Sequence, residues 1–296
     1  MIRSPRRLTP ALPATLAAAA ALLLAPGIAT AAPCIGNAQG LGTTRTVEID
    51  TTGAPGFGFE HYKSHDFLEK GEVVLTFDDG PLPSHTRTIL KTLADHCVKA
   101  TFFPVGKLAV GYPEVLREVL KAGHTVGGHT FNHIDLAKAK DELAVEEIER
   151  GFSAVKRGAG LPTAPFFRHP FLRHSKATLE HLAQRNIAIF STDIDSFDFK
   201  VQAPDKIVDT VMKKLDKNGK GIVLMHDIQP STAKALPLLL AALKSKGYKI
   251  VHLTAKDPLT TVAKFDQSIE ESVKGLPAAL DTRPTSSVVK TVKTAP

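Results

Sequence analysis

From residue 71 to about residue 255 the chain alternates between short apolar runs and longer segments with a helical apolar period, and this alternation limits its fold more than any other feature. The apolar runs are "EVVLTF", "KATFFPV", "HTVGGH", "APFFRHP", "IAIFSTDID", "GIVLMHD" and "YKIVHL". Between them lie "HTRTILKTLADHC", "YPEVLREVLKAG", "DELAVEEIERGFSAVKRG", "SKATLEHLAQRN", "PDKIVDTVMKKLDKNG" and "STAKALPLLLAALKSKG". Seven strands separated by six or seven helices predict βαβ units and a parallel sheet. Strands such as "IAIF" and "IVLM" carry no polar alternation, as expected when helices cover both faces of a sheet. Pro204 near the start of one helix and Gly219 just past its end mark its boundaries. Periodicity leaves two architectures open, a barrel-like closure and a doubly wound sheet. Either one places its chemistry at the C-terminal ends of the strands.

The flanking segments read differently. Residues 1–31 carry arginines at 3, 6 and 7, an Ala/Leu-rich stretch to Leu24, and small residues at Ala29 and Ala31. That is the pattern of an export signal, and the apolar stretch is short for a membrane span. Residues 32–70, rich in Gly, Thr and isolated aromatics, read as a lead-in arm with a short hairpin. Residues 71–258 form the predicted catalytic domain, and 259–296 lose the apolar period and read as a mobile tail. The expected location is outside the cytoplasm, periplasmic or extracellular.

Charge excludes one class of partner. The whole chain has a formal charge of +7, and removal of residues 1–31 leaves 34 Lys+Arg against 30 Asp+Glu, or +4. That mild basicity suits an anionic cell-envelope surface, but no Lys/Arg block with interleaved aromatics is present for nucleic acid. Two cysteines, Cys34 and Cys97, are too few for a metal framework. In an exported chain they are expected either as one disulfide tying the arm to the domain or as two separate thiols.

The polar residues collect where the strands end. Asp78 and Asp79 follow the first strand, His129 and His133 the third, Arg168 the fourth. Asp193, Asp195 and Asp198 follow the fifth, and His226 with Asp227 ends the sixth. In a parallel fold these ends face one rim. Two histidines four apart on a helical turn lie about 5–6 Å apart at Cβ, close enough to share one metal. With a carboxylate from another strand end they make a two-His, one-carboxylate set suited to Zn2+ or a similar divalent ion. A cation there also lets Asp78 and Asp79 stay ionised side by side. His226, beside carboxylates, is expected to be protonated and to serve as a general acid. One aspartate serves as base, with Arg168 orienting it by a bidentate contact.

In this order the motifs resemble the polysaccharide deacetylase family, whose unit is the NodB homology domain of carbohydrate esterase family 4. "TFDDGP" is similar to the family's first motif, "HTFNH" to its second, "RHPF" to its third, "SFDF" to its fourth and "VLMH" to its fifth, with "KATFF" between the first two. The resemblance covers about residues 70–255. It implies an α/β fold, a distorted (β/α)7-type barrel, and the release of acetate from an N-acetylglucosamine-containing polymer: chitin-like, peptidoglycan or poly-N-acetylglucosamine. It further implies Asp78 as general base, and Asp79, His129 and His133 as ligands of Zn2+, Co2+ or Ni2+. His226 becomes the acid, Arg168 and Asp198 (or Asp195) the residues that orient base and acid, the Phe171 backbone N–H an oxyanion donor, and Leu224 the wall for the acetyl methyl. Lys99 is read as a partner for Asp198. Phe171 and Phe199 depart from the family's usual Tyr and Trp, and Phe199 leaves substrate preference open. An O-acetyl esterase acting on an acetylxylan-like polymer and an inactive carbohydrate-binding homologue are the competing readings.

Overall fold

The structure is a computed structural model that describes Cys34, Asn37 and residues 40–274. The export signal read in residues 1–31 lies outside the described residues. The elements run in the order β1 (Thr43–Ile49), β2 (Gly56–Phe57), β3 (Glu72–Asp79), α1 (Pro83–Asp95), β4 (Thr101–Pro104), α2 (Gly106–Gly111), α3 (Pro113–Lys121), β5 (Thr125–Val126), α4 (Asp141–Ala159) and β6 (Phe166–Phe167). They continue with α5 (Lys176–Gln184), β7 (Ala188–Phe190), β8 (Ile194–Asp195), α6 (Pro204–Asn218), β9 (Gly221–His226), α7 (Pro230–Ser245), β10 (Lys249–Ala255) and α8 (Ala263–Val273).

Every strand pair is parallel. One sheet runs β1-β10-β3-β4-β5, with β9 on β3 and β8 on β9, and a second runs β2-β7-β6. A parallel bridge between Gly128 and Phe167 joins them. This is the mostly parallel α/β fold that the alternation predicts and, of the two architectures left open, the distorted-barrel type that the family resemblance implies, with its strand pairing carried by two linked sheets. Helix ends follow local rules. Pro occupies the first turn of α1, α3, α6 and α7, where its missing N–H is no loss, and Gly160 and Gly219 take the left-handed conformation that ends α4 and α6.

Strand alternation explains how the site is built. On β3, Val73, Leu75 and Phe77 pack outward with Ile89 and Leu93 of α1 and Leu236, Leu239 and Leu240 of α7. The alternate residues Val74, Thr76 and Asp78 share the opposite face, where Val74 joins a separate cluster with Phe103, Phe166, Phe190 and Ile222. On β9, Val223 and Met225 likewise join the outer cluster, while Ile222, Leu224 and His226 share the other face. Each inner face thus climbs from apolar residues to a titratable one at the strand's C-terminal end.

Three expectations are corrected. Among its described residues the arm contains no hairpin: β1 pairs in parallel with β10 from Thr43 to Ile49, and β2 pairs in parallel with β7. The fifth predicted strand is two, β7 and β8, broken at Ser191–Asp193. Part of the segment read as a mobile tail is the helix α8. Its Ile269 is fully buried against Phe131 and Ala154, and Lys156 and Arg157 of α4 pair with Asp266 at 2.8 Å and Glu270 at 2.6 Å. The apolar period was lost there because a helix held by one buried side chain and flanking ion pairs needs no apolar stripe. Cys34 and Cys97 form a disulfide that ties the arm to the end of α1.

Candidate active site

Asp79 Oδ1, His129 Nε2 and His133 Nε2 converge. Asp79 Oδ1 lies 3.5 Å from the first nitrogen and 3.3 Å from the second, and all three atoms are within 4.8 Å of one another. Four ligands at about 2.1 Å from a tetrahedral ion would stand ~3.4 Å apart, so the spacing fits a divalent cation. Asp79 Oδ1 is also buried with no hydrogen-bond partner, a state that a cation would relieve. His129 Nδ1 lies 2.6 Å from the Arg168 carbonyl, which accepts its N–H and leaves the Nε2 lone pair turned toward Asp79. Burial pushes His133 down to about 4, so its ring is neutral at neutral pH. Burial alone would raise the Asp79 carboxyl, but His133, His129 and His226 outweigh it and hold it well below the usual carboxylate range.

The local geometry differs from the expected helical turn. "HTFNH" is an irregular loop in which Thr130 (φ 63°) and His133 (φ 58°) are both left-handed. The two imidazoles meet, with ring centres 4.9 Å apart, because of this folded loop and not because of helical spacing.

Asp78 is buried under Arg168. Arg168 Nη1 donates to Asp78 Oδ1 at 2.7 Å and to Thr76 Oγ1 at 2.7 Å, Nε donates to the Phe190 carbonyl at 3.1 Å, and Nη2 to the Ser191 carbonyl at 2.9 Å. The guanidinium also stacks 4.5 Å over Phe103. The predicted bidentate contact is therefore a single bond; the remaining donors are spent on the Thr76 hydroxyl and two backbone carbonyls. That leaves Asp78 with one oxygen fixed by Arg168 and the other outside that contact.

His226 is the direct parallel-sheet partner of Asp78. Its Nδ1 lies 2.6 Å from Asp198 Oδ1. Burial alone would lower the imidazole, but Asp198, with Asp79 and Asp78 behind it, pushes it up to about 10. Asp195 instead accepts from the Phe197 N–H at 2.8 Å, so Asp198 is the residue that touches His226. Lys99 does not reach Asp198; its ammonium donates to the Ala122 carbonyl, before β5 and away from the strand C-terminal ends.

Leu224 is buried on β9 between Thr76 and Asp195, on the His226 side of the strand. Phe171 (φ 58°) is 59% exposed, and its ring centre lies 4.8 Å from that of His133. Phe199 stands with its ring centre 5.5 Å from that of His226.

Some contributors had no usable signal in the sequence. The Thr232 hydroxyl donates to Asp198 Oδ2, a contact 34 positions apart in sequence. Asp227 ends a strand in the sequence, and nothing in its local pattern tells its role. Its Oδ1 accepts from the Gly80 N–H at 2.9 Å and its Oδ2 from the Thr86 hydroxyl at 2.6 Å. It clamps the turn after Asp79, and a Cβ on Gly80 would lie 2.1 Å from it. Burial pushes Asp227 up to about 7.

A carboxylate–imidazole–imidazole set beside a guanidinium-held carboxylate and a carboxylate-held imidazole is the equipment of a hydrolase. The profile of the family described as polysaccharide deacetylase matches residues 66–189. A peptidoglycan-N-acetylglucosamine deacetylase of Bacillus cereus is 33% identical over 190 residues, 62% of this chain and 67% of the relative. A chitooligosaccharide deacetylase of a Bradyrhizobium species is 30% identical over 192 residues, 60% of this chain and 87% of the relative. The solved structure of a Bdellovibrio bacteriovorus peptidoglycan deacetylase superposes with a TM-score of 0.67 at 32% identity, over 74% of this chain and 61% of that one. The chain belongs to the polysaccharide deacetylase family.

Proposed function

We propose that this chain hydrolyses N-acetyl groups on a polymer or oligosaccharide containing N-acetylglucosamine, releasing acetate and leaving a free amine. The observation that carries the reading is the direct pairing of Asp78 and His226 across β3 and β9, each oriented by its own buried partner, beside the Asp79–His129–His133 donor set. A divalent cation held there, Zn2+ or alternatively Co2+ or Ni2+, would polarise the acetyl carbonyl and make water more acidic.

The chain's own residues do the rest. Asp78, one oxygen fixed by Arg168, accepts the proton of the attacking water. His226 keeps Nδ1–H on Asp198, so its Nε2–H is the proton available to the departing nitrogen. An amine leaves poorly unless protonated, which is why an acid held in its charged form suits an amide substrate. The Phe171 N–H is assigned to the developing oxyanion and Leu224 to the wall against the acetyl methyl. The names of the relatives, peptidoglycan and chitooligosaccharide deacetylases, support an amino-sugar substrate. The export-signal pattern of the sequence at residues 1–31 and the Cys34–Cys97 disulfide support action in an oxidising compartment outside the cytoplasm.

The test is acetate release from chitin oligomers, peptidoglycan and acetylxylan, with and without chelator and with Zn2+ restored. Chelator-sensitive release from an amino-sugar substrate is the expected result. Release from acetylxylan alone would make the chain an O-acetyl esterase. No release by metal-loaded protein would reject the hydrolase.

A further inference from the structure

The loop that carries His129 and His133 is strained. Two of its five residues are left-handed without being glycine, and one of them, Thr130, is β-branched. Such conformations persist only where the surroundings hold them. The supports come from α4. Glu147, buried on α4, accepts from the Asn132 backbone N–H with Oε2 at 2.8 Å and from the Asn132 side-chain amide with Oε1 at 2.5 Å. One turn further on, Gly151 lets the Thr130 backbone lie directly on the helix; a Cβ there would stand 2.6 Å from the Thr130 carbonyl carbon. Between them Arg150 stacks 4.3 Å over the Phe131 ring.

We propose that Glu147 is a positioning residue for the metal-ligand pair, acting through Asn132. Both oxygens of one carboxylate grip the residue directly before His133 by its main chain and its side chain together. A neutral or short side chain at 147 loses half or all of that grip, and the loop relaxes away from its left-handed conformation. The consequence is carried by the geometry of His133 relative to Asp79, and therefore by ion affinity, with no contact between Glu147 and the ion or substrate. The inference rests on the reading that Asp79, His129 and His133 hold a divalent cation.

The test measures Zn2+ affinity of the full chain by competition with a chromophoric chelator, and the visible absorption of the Co2+-substituted protein. Glu147→Gln and Asn132→Ala are each expected to weaken Zn2+ binding about tenfold, the lower end of what outer partners of metal ligands contribute. Both are also expected to shift the Co2+ band. The double variant should be no weaker than the worse single one, because both act through one contact. Glu149→Gln is the control. Glu149 is a second buried carboxylate on α4, bonded to His181 and Arg185 rather than to the loop, and its loss should lower stability while leaving Zn2+ affinity and the Co2+ band unchanged. Glu147→Gln binding Zn2+ within twofold of the parent overturns the proposal. So does an additive double variant, or an equal loss in Glu149→Gln, which would reduce the effect to general loosening of α4. Failure of the parent chain to bind Zn2+ or Co2+ would instead reject the metal reading itself.

Discussion

His226 and Asp198 touch twice: the ring Nδ1 lies 2.6 Å from Oδ1, and the His226 backbone N–H donates to Oδ2 at 2.7 Å. One buried carboxylate therefore sets the position of the main chain, the orientation of the imidazole and its protonation. Asp198→Asn should retain bound metal and lose acetate release by roughly 10²-fold, with His226→Ala losing roughly 10²–10⁴-fold. Single-turnover acetate release alongside metal content checks both. Normal turnover in either variant would remove His226 from the acid role.

His129→Ala should lose metal and activity together, because two ligands hold an ion poorly. Asp78→Asn should keep the metal and lose the rate. Elemental analysis of the purified variants separates these outcomes, and an active, metal-free His129→Ala protein would reject the ligand assignment.

Arg168 is fully buried and makes the 2.7 Å ion pair with Asp78. Arg168→Met leaves that carboxylate buried without its cation, which should destabilise the fold by about 3–5 kcal/mol. Urea unfolding of parent and variant measures the difference. A loss below 1 kcal/mol would mean that Asp78 finds another partner.

Acid should destabilise the chain through two histidines far from the site. Burial and then the charge of Lys99 push His124 down to about 3, with His252 adding to it, and burial and Lys99 push His252 down to about 4. Both are lowered below the unfolded value near 6.5. The unfolded chain therefore binds more protons below pH 6.5. Stability falls as pH drops from 6.5 toward 4 for both, and on toward 3 for His124 alone. Each adds a slope of about 1.4 kcal/mol per pH unit within its window. His124→Gln should flatten the profile of unfolding free energy between pH 6.5 and 4; an unchanged slope would show that His124 is protonated in the folded state.

Replacing Cys34 and Cys97 by serine should lower stability by about 2–4 kcal/mol, since the disulfide closes a loop across 63 positions of sequence. Acetate release should be unaffected, as the bond joins the arm to the end of α1, away from the strand C-terminal ends. Thermal melts with and without reductant give the first quantity.

Much of the scaffold was legible because its signals are local. A strand covered on both faces must be an apolar run, and a helix must repeat its apolar residues every three to four positions. Polar residues that interrupt this pattern at the strand ends, as in "TFDDGP" and "VLMH", therefore stood out. The ordered motifs carried the family, and the structural neighbours bear it out. What was misread depended on non-local packing. The spacing of His129 and His133 suggested a helical turn, whereas a left-handed loop resting on Gly151 brings them together. An arginine after a strand end predicts two bonds to Asp78, but backbone carbonyls of β7 and the residue after it, some twenty positions on, compete for its donors.

Between about residues 71 and 255 the sequence by itself determined most of the segments that become strands and helices and which titratable residues end the strands, because period and composition act over a few residues. Only the tertiary structure decided which aspartate meets His226, that β1 joins β10, that Cys34 pairs with Cys97, and that Glu147 grips Asn132. Those contacts join residues 15 to more than 200 positions apart, and no local rule carries the distance between two such side chains until the layers have packed.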